Sequence, residues 1–258
     1  MREARVGGSP TRWRVAGDGP PLVLVHGLSA SSRWWSAVLP PLAEVYSCHL
    51  VDVPRFGAAL RPDETAEWLG TWMDAAGLRR VRLAGHSMGA AAAARFAALR
   101  PELVEALVLV SPIGMPSKRR VTGYALPLLG ALRMTTPRFL AALCVDALRT
   151  GPAAIVRGGL YAARADLREQ ARAIRAPTLL VWGDRDPVAP SALADEWRRA
   201  LPSAQLVVLR GVGHVPMVER PRELSEVLRA FFDEPGDLVG GHPMGGVPRA
   251  PEDDKPSR

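Results

Sequence analysis

Several things are scarce in this chain, and each scarcity excludes a class of protein. Two cysteines, Cys48 and Cys144, occur in 258 residues, far apart and each among apolar neighbours. A disulfide framework is therefore not expected, and the pair reads as buried free thiols in a reducing cytoplasm. No run approaches the roughly eighteen apolar residues that a membrane span requires. The arginines near the N-terminus are followed by glycine, proline and aspartate before the first apolar run, so no secretory segment is expected. Five histidines lack the spacing of zinc ligands, and no glycine loop ends in Lys-Ser or Lys-Thr. Neither a metal nor an organic cofactor is expected. Although the formal net charge is +7 and the isoelectric point about 10.3, the cations are scattered, and the longest block is Lys118-Arg119-Arg120. Nucleic acid is not an expected partner.

What is present points to a folded α/β protein. Apolar residues make up 48% of the chain, enough for a large core, and its 24 glycines and 24 prolines fit many short connections. Residues 1 to 10 read as a frayed end, and Thr11–Ala16 as a strand at a sheet edge, turned by Gly17-Asp18-Gly19-Pro20-Pro21. Leu22–Val25 is a continuous apolar strand, the pattern of burial on both faces. After His26-Gly27-Leu28 comes a helix with Trp34, Trp35, Val38 and Leu39. Two adjacent tryptophans cannot share one helical face, so one of them is expected over the site or against a neighbouring loop, with Trp35 the packing residue. A strand over His49–Val53 stops at Pro54, and Glu64–Ala76 forms an amphipathic helix. Val81–Ala84, Ala90–Leu99 and Ala106–Val110 give strand, helix and strand.

This alternation predicts parallel strands with right-handed crossovers, with ligands beyond their carboxyl ends. The rhythm then breaks. Residues 113 to 173 carry helical patterns at Tyr124–Leu132, Pro137–Leu148, Ala153–Ala162 and Asp166–Ile174, too long and too apolar for a loop. They read as a small helical cap between core segments 1–112 and 174–234. The sheet resumes at Pro177–Trp182, followed by a helix over Ser191–Ala200, a strand over Gln205–Leu209 and a last helix over Arg222–Phe232. Residues 235–258 are rich in glycine, proline and charge and read as a flexible tail, in which His242 is incidental.

The chemistry centres on Gly85-His86-Ser87-Met88-Gly89. A strand that ends at a serine and turns sharply into a helix exposes the hydroxyl, provided that the residues two before and two after are small. The Met88 amide, first in the helix, is a free donor near that hydroxyl. A serine needs a base, and the base needs an orienting acid. His214 follows a strand in a glycine-flanked loop, whereas His26 and His86 are locked beside glycines and His49 enters a buried strand. Asp52, Asp184 and Asp186 all stand at strand ends. Asp186 is favoured over Asp184 because Pro187 bends its loop over the sheet edge, but position alone leaves both open.

Together with His26-Gly27, Asp52 before Pro54, Gly183-Asp184-Arg185-Asp186-Pro187 and Gly213-His214, the pentapeptide resembles the α/β-hydrolase superfamily over residues 12 to 233. The resemblance implies a mostly parallel sheet with helices on both faces and a helical lid. It places the nucleophile on Ser87, the acid on Asp186, the base on His214 and the oxyanion donors on the amides of Leu28 and Met88, with Asp184 a turn former. A departure lies at Pro54-Arg55-Phe56-Gly57-Ala58-Ala59, where Phe56 and the two alanines replace small or polar residues and Arg55 is expected to pair with Asp52. The serine sets the chain apart from dehalogenase and epoxide-hydrolase relatives, which use an aspartate there. The expected function is a serine carboxylesterase or lipase-like hydrolase of small apolar esters, monomeric or dimeric. The alternatives are another cofactor-free reaction of the same triad (thioesterase, lactonase, carbon–carbon bond hydrolase, haloperoxidase or perhydrolase) and a non-catalytic small-ligand receptor.

Overall fold

A computed structural model of the chain describes residues 1–53, 62–116 and 137–235. Eight strands form one sheet: β1 (Arg2–Val6), β2 (Ser9–Ala16), β3 (Pro21–Val25), β4 (Ser47–Val51), β5 (Val81–His86), β6 (Val104–Val110), β7 (Thr178–Gly183) and β8 (Gln205–Leu209). Their order is β1-β2-β4-β3-β5-β6-β7-β8, antiparallel at β1–β2 and β2–β4 and parallel from β4 onward.

The central strands are apolar throughout because both faces are covered. Val23, Val25, Leu83, Leu107 and Leu109 enter one hydrophobic cluster, and Leu22, Leu24, Ala84, Val108 and Val110 enter the other. This is the two-residue alternation of strand side chains. The first cluster packs against α2 (Pro62–Ala75), α3 (Met88–Leu99) and α7 (Ser191–Ala200) through Trp72, the Ala90–Ala94 run and Trp197. The second packs against α1 (Leu39–Ala43) and α9 (Pro221–Asp233) through Leu42, Leu228 and Phe231. Helix α3 can lie close to the sheet because its buried residues are mostly alanine.

The chain leaves β3 to one side to make β4 and then returns to the other side to make β5. The carboxyl ends of β3 and β5 therefore flank the switch point of the sheet, where ligands bind in such architectures. Leu28 follows the first of these strands and Ser87 the second. Between β6 and β7 lie α4 (Pro137–Thr150), α5 (Pro152–Arg164) and α6 (Arg168–Ala173). They are seated on the core partly through Leu167, whose N–H donates to the Gly114 carbonyl at 2.7 Å. Among the described residues no single helix is long and apolar enough to cross a membrane.

The strands and helices expected from periodicity occur within about two residues of their expected ends, with corrections elsewhere. Residues 1 to 10 are not frayed: Arg2–Val6 pairs with Ser9–Trp13, and Gly7 and Gly8, at φ 54° and 82°, make the two-residue turn of a tight hairpin. Strand β2 is consequently internal, between β1 and β4. Trp34 and Trp35 lie in a short 3₁₀ turn, Ser32–Trp35, rather than in one helix with Val38 and Leu39. Cys48 is buried, but Cys144 is exposed on α4 beside exposed Val145 and Leu148, since that helix has more apolar residues than one buried face takes up. The helix expected at Tyr124–Leu132, the Arg55 loop and His242 lie outside the described residues.

Trp72 is fully buried, stacked on Trp68 with centroids 6.3 Å apart and edge-on to Trp13 at 5.6 Å. It joins α2 to the β2 side of the sheet. Trp72→Ala is expected to cost about 4 kcal/mol of unfolding free energy, measured by urea titration, with the native far-ultraviolet spectrum retained.

Candidate active site

Ser87 stands between β5 and α3 with φ 54° and ψ −115°, a conformation that side chains rarely adopt. Two close approaches impose it. A Cβ on Gly85 would lie 2.7 Å from the Ala90 Cα, and one on Gly89 would press into the carbonyl oxygens of His26 and Val25. The start of α3 thus runs directly against the ends of β5 and β3. Ser87 N–H still donates to the Val110 carbonyl at 2.9 Å, so the turn begins at the last rung of the ladder.

The structure brings Ser87, His214 and Asp186 into one chain of contacts. Ser87 Oγ lies 3.1 Å from His214 Nε2, and His214 Nδ1 lies 2.8 Å from Asp186 Oδ2. Asp186 is buried, and its Oδ1 accepts the N–H groups of Val188 and Ala189, each at 2.8 Å. Burial alone would raise the pKa of this carboxyl. The charge and hydrogen bond of His214, with the Ala189 amide, outweigh burial and hold it below the ordinary carboxylate value. The Ser111 hydroxyl acts in the same sense from beside it, although it falls short of hydrogen-bond geometry. An ionised Asp186 accepts the Nδ1–H of His214, which leaves Nε2 as an acceptor for the Ser87 hydroxyl proton.

The other aspartates have separate partners. Asp184 Oδ1 accepts the Gly211 N–H at 2.6 Å, tying the end of β7 to the loop after β8. Asp52 Oδ1 accepts the Ser32 N–H at 2.6 Å. Met88 follows the serine directly, and Leu28 is brought near it by Gly27. Met88 opens α3, where the first amides have no partner within the helix. Leu28 follows Gly27, whose missing Cβ would lie 3.3 Å from the Ser87 Cβ. Of the two tryptophans, Trp34 is buried with its ring 6.2 Å from that of His86 and against Phe139, while Trp35 is wholly in the core.

Two supports of His214 were not singled out by sequence reasoning. Glu219, at the end of the short helix α8 (Pro216–Glu219), accepts the Gly213 N–H at 2.7 Å and the Val215 N–H at 3.0 Å, gripping both amides that flank the histidine. Its signal was present as an acid five residues after His214, across a proline that starts a turn. His86 donates from Nε2 to the His214 carbonyl at 2.8 Å, and the two rings are 5.0 Å apart. That role was hidden, because a histidine beside a nucleophilic serine reads equally as packing. His26 donates from Nδ1 to the Gly27 carbonyl and accepts the Val53 N–H on Nε2, bracing the strand end before Leu28. Cys48 does not compete as a nucleophile: burial pushes its thiol up to about 12. Among the described residues, no group of three or more His, Cys, Asp and Glu side chains is placed to hold a metal ion.

A family model described as the alpha/beta hydrolase family matches residues 22–227. Pimeloyl-[acyl-carrier protein] methyl ester esterase from Aeromonas hydrophila is 30% identical over 244 residues, covering 83% of this chain and 96% of that protein. A solved membrane phospholipase A, a bacterial virulence factor, is 30% identical with a TM-score of 0.79, covering 90% of this chain and 85% of the other. The esterase RhEst1 from a Rhodococcus species is 26% identical with a TM-score of 0.74, covering 91% and 99%.

Two buried histidines, His86 beside His214 and His49 beside Trp72, give the fold a pH signature. Burial first, then the proximity of His214, lowers the His86 pKa to about 3, while burial and the Arg2 charge lower that of His49 to about 4. The unfolded chain binds these protons near the ordinary value of 6.5. The stability carried by the neutral rings is therefore complete above pH 6.5 and is lost as the pH falls from there towards 3. Unfolding free energy, followed by urea titration at successive pH values, is expected to fall over this window. His86→Gln is expected to remove up to about 1.4 kcal/mol per pH unit from the slope.

Proposed function

We propose that this chain, which belongs to the alpha/beta hydrolase family, cleaves carboxylic esters with an apolar acyl group through an acyl-enzyme on Ser87. The observation that carries the reading is the continuous contact from Ser87 Oγ through His214 to the buried Asp186. Similarity to an acyl-carrier-protein methyl ester esterase and to esterase structures supports the ester as the bond attacked.

In this mechanism His214 Nε2 accepts the Ser87 proton as Oγ attacks the ester carbonyl carbon. The carbonyl π electrons move to oxygen, and the amides of Leu28 and Met88 receive the resulting oxyanion. Collapse expels the alcohol, which takes the proton from His214, and leaves the acyl group on Oγ. Water then repeats the sequence: His214 removes its proton, the hydroxide equivalent attacks the acyl carbon, and the acid departs as Ser87 recovers its proton. Asp186 stays ionised and holds the imidazole in the tautomer that both half-reactions need. The residues beside the serine favour an apolar acyl group: Leu28 and Met88 flank it, and Trp34 packs edge-on against Phe139 of α4 with centroids 4.7 Å apart. We read α4, α5 and α6 as a cap over the site whose side chains select the substrate.

Purified protein is expected to hydrolyse p-nitrophenyl esters and to be labelled on Ser87 by a fluorophosphonate. Ser87→Ala and His214→Ala are each expected to lose roughly 10³-fold or more in kcat, with no labelling of the serine variant. A folded wild-type protein that leaves esters of every chain length intact and resists the fluorophosphonate would favour the ligand-receptor reading instead.

A further inference from the structure

The helices between β6 and β7 meet the site at two places that the chemistry above does not use. The first is Asp146, on α4. Its carboxylate is 3% exposed, and its donors come from the stretch just beyond Leu28. Oδ2 accepts the Ser31 hydroxyl at 2.9 Å and the Trp34 indole N–H at 3.1 Å, and Oδ1 accepts the Arg33 guanidinium at 2.9 Å. Arg149, one turn along the same helix, lies 3.8 Å from Oδ1. A buried carboxylate is costly unless its oxygens are satisfied. Here a short stretch of another element supplies three of the four cations and donors.

That stretch is also held from the sheet, where Asp52 accepts the Ser32 N–H at 2.6 Å. Two carboxylates therefore clasp residues 31–34, one from the end of β4 and one from the inserted helices. The Trp34 ring is fixed as well, edge-on to Phe139 of α4 at 4.7 Å and 6.2 Å from His86. The second meeting place is Gly158 on α5. A Cβ there would collide with Leu28 Cδ2 and lie 3.1 Å from Met88 Cε. The inserted helices thus bear on both residues whose amides the proposed mechanism assigns to the oxyanion.

We propose that Asp146 is a positioning residue for the oxyanion: by holding Ser31–Trp34 it fixes the loop that presents the Leu28 amide, so that this donor is in place while α4 is seated on the core. The inference rests on the ester-hydrolase reading and deepens it, making the inserted helices part of the catalytic geometry as well as a cover. Asp146 does not touch the substrate. Its effect passes through Ser31, Arg33 and Trp34 to a backbone N–H whose bond to oxygen strengthens as charge develops. Misplacement of that donor therefore lowers kcat and spares KM, because ground-state binding does not depend on it.

The test is Asp146→Asn, which keeps the shape and presents an amide N–H₂ to donors. On p-nitrophenyl butyrate, kcat is expected to fall about tenfold, the scale of a small displacement of one oxyanion donor, with KM within about twofold. The Ki of an alkyl trifluoromethyl ketone, which forms an oxyanion on Ser87, is expected to rise by the same factor. The affinity of the corresponding trifluoromethyl carbinol, which forms no oxyanion, is expected to stay constant. Ser31→Ala removes one donor, leaves Asp146 in place and should shift kcat and ketone affinity the same way by less. It carries the test if Asp146→Asn does not fold. Unchanged kcat and ketone affinity in the folded variants would overturn the inference. So would a raised KM and a lowered melting temperature with kcat intact, since Asp146 would then only seat the helices. Failure of the wild type to hydrolyse esters in a Ser87-dependent manner would instead overturn the ester-hydrolase reading, and this inference with it.

Discussion

The site depends on one backbone constraint, the left-handed turn at Ser87. Such a conformation costs about 1–3 kcal/mol for a residue with a side chain, and it persists because the surroundings leave no alternative. Ser87 N–H closes the last rung of the β5–β6 ladder, while one residue later the chain is already in α3. Gly89 brings that helix onto the carbonyls at the end of β3, and Gly85 lets its first turn pass over β5. The same compression sets Gly27, and hence Leu28, beside the serine. The placements of Ser87, Leu28 and Met88 are thus consequences of one packing arrangement.

The proposed mechanism also needs a base over that turn, and His214 is held there by ionic and polar contacts rather than bulk. Asp186 is fixed by two amides, Glu219 grips the amides on both sides of His214, and His86 supports the His214 carbonyl from below. Asp184 ties together the two loops from which Asp186 and His214 project. The neutral state of His86 suits this role, since a cation 5.0 Å from the His214 ring would oppose the imidazolium that the proposed proton transfer forms. Structural and chemical demands on these buried groups coincide.

Much of this was legible in the sequence, and the reasons differ by element. The buried strands Leu22–Val25 and Ala106–Val110 announce themselves because burial on both faces leaves no polar position. The pentapeptide around Ser87 does so because few sequences satisfy its steric demands. The hairpin at Arg2–Val6 was missed because arginine and glutamate on an exposed strand resemble a solvated end, although Gly7-Gly8 was the informative pair. Choosing Asp186 over Asp184 needed family resemblance. Both stand in one loop, and only the course of the backbone shows which carboxylate meets His214 and which meets Gly211. Asp146 was not legible at all: its partners lie more than 110 residues earlier, and nothing in a helical pattern marks an acid that turns inward.

The inserted helices contact Ser31, Arg33 and Trp34 through Asp146 and lie against Leu28 and Met88 at Gly158, so in the proposed mechanism substrate choice and oxyanion geometry share the same elements. The central claim remains the attack of Ser87 Oγ and the covalent acyl-enzyme that follows. Rapid quenching during turnover of a slowly deacylated p-nitrophenyl ester tests it most directly. The account predicts a burst of about one p-nitrophenolate per chain, with a mass increase equal to the acyl group on the peptide that contains Ser87. Turnover without a burst and without an adduct, or with the acyl group on another residue, would contradict it.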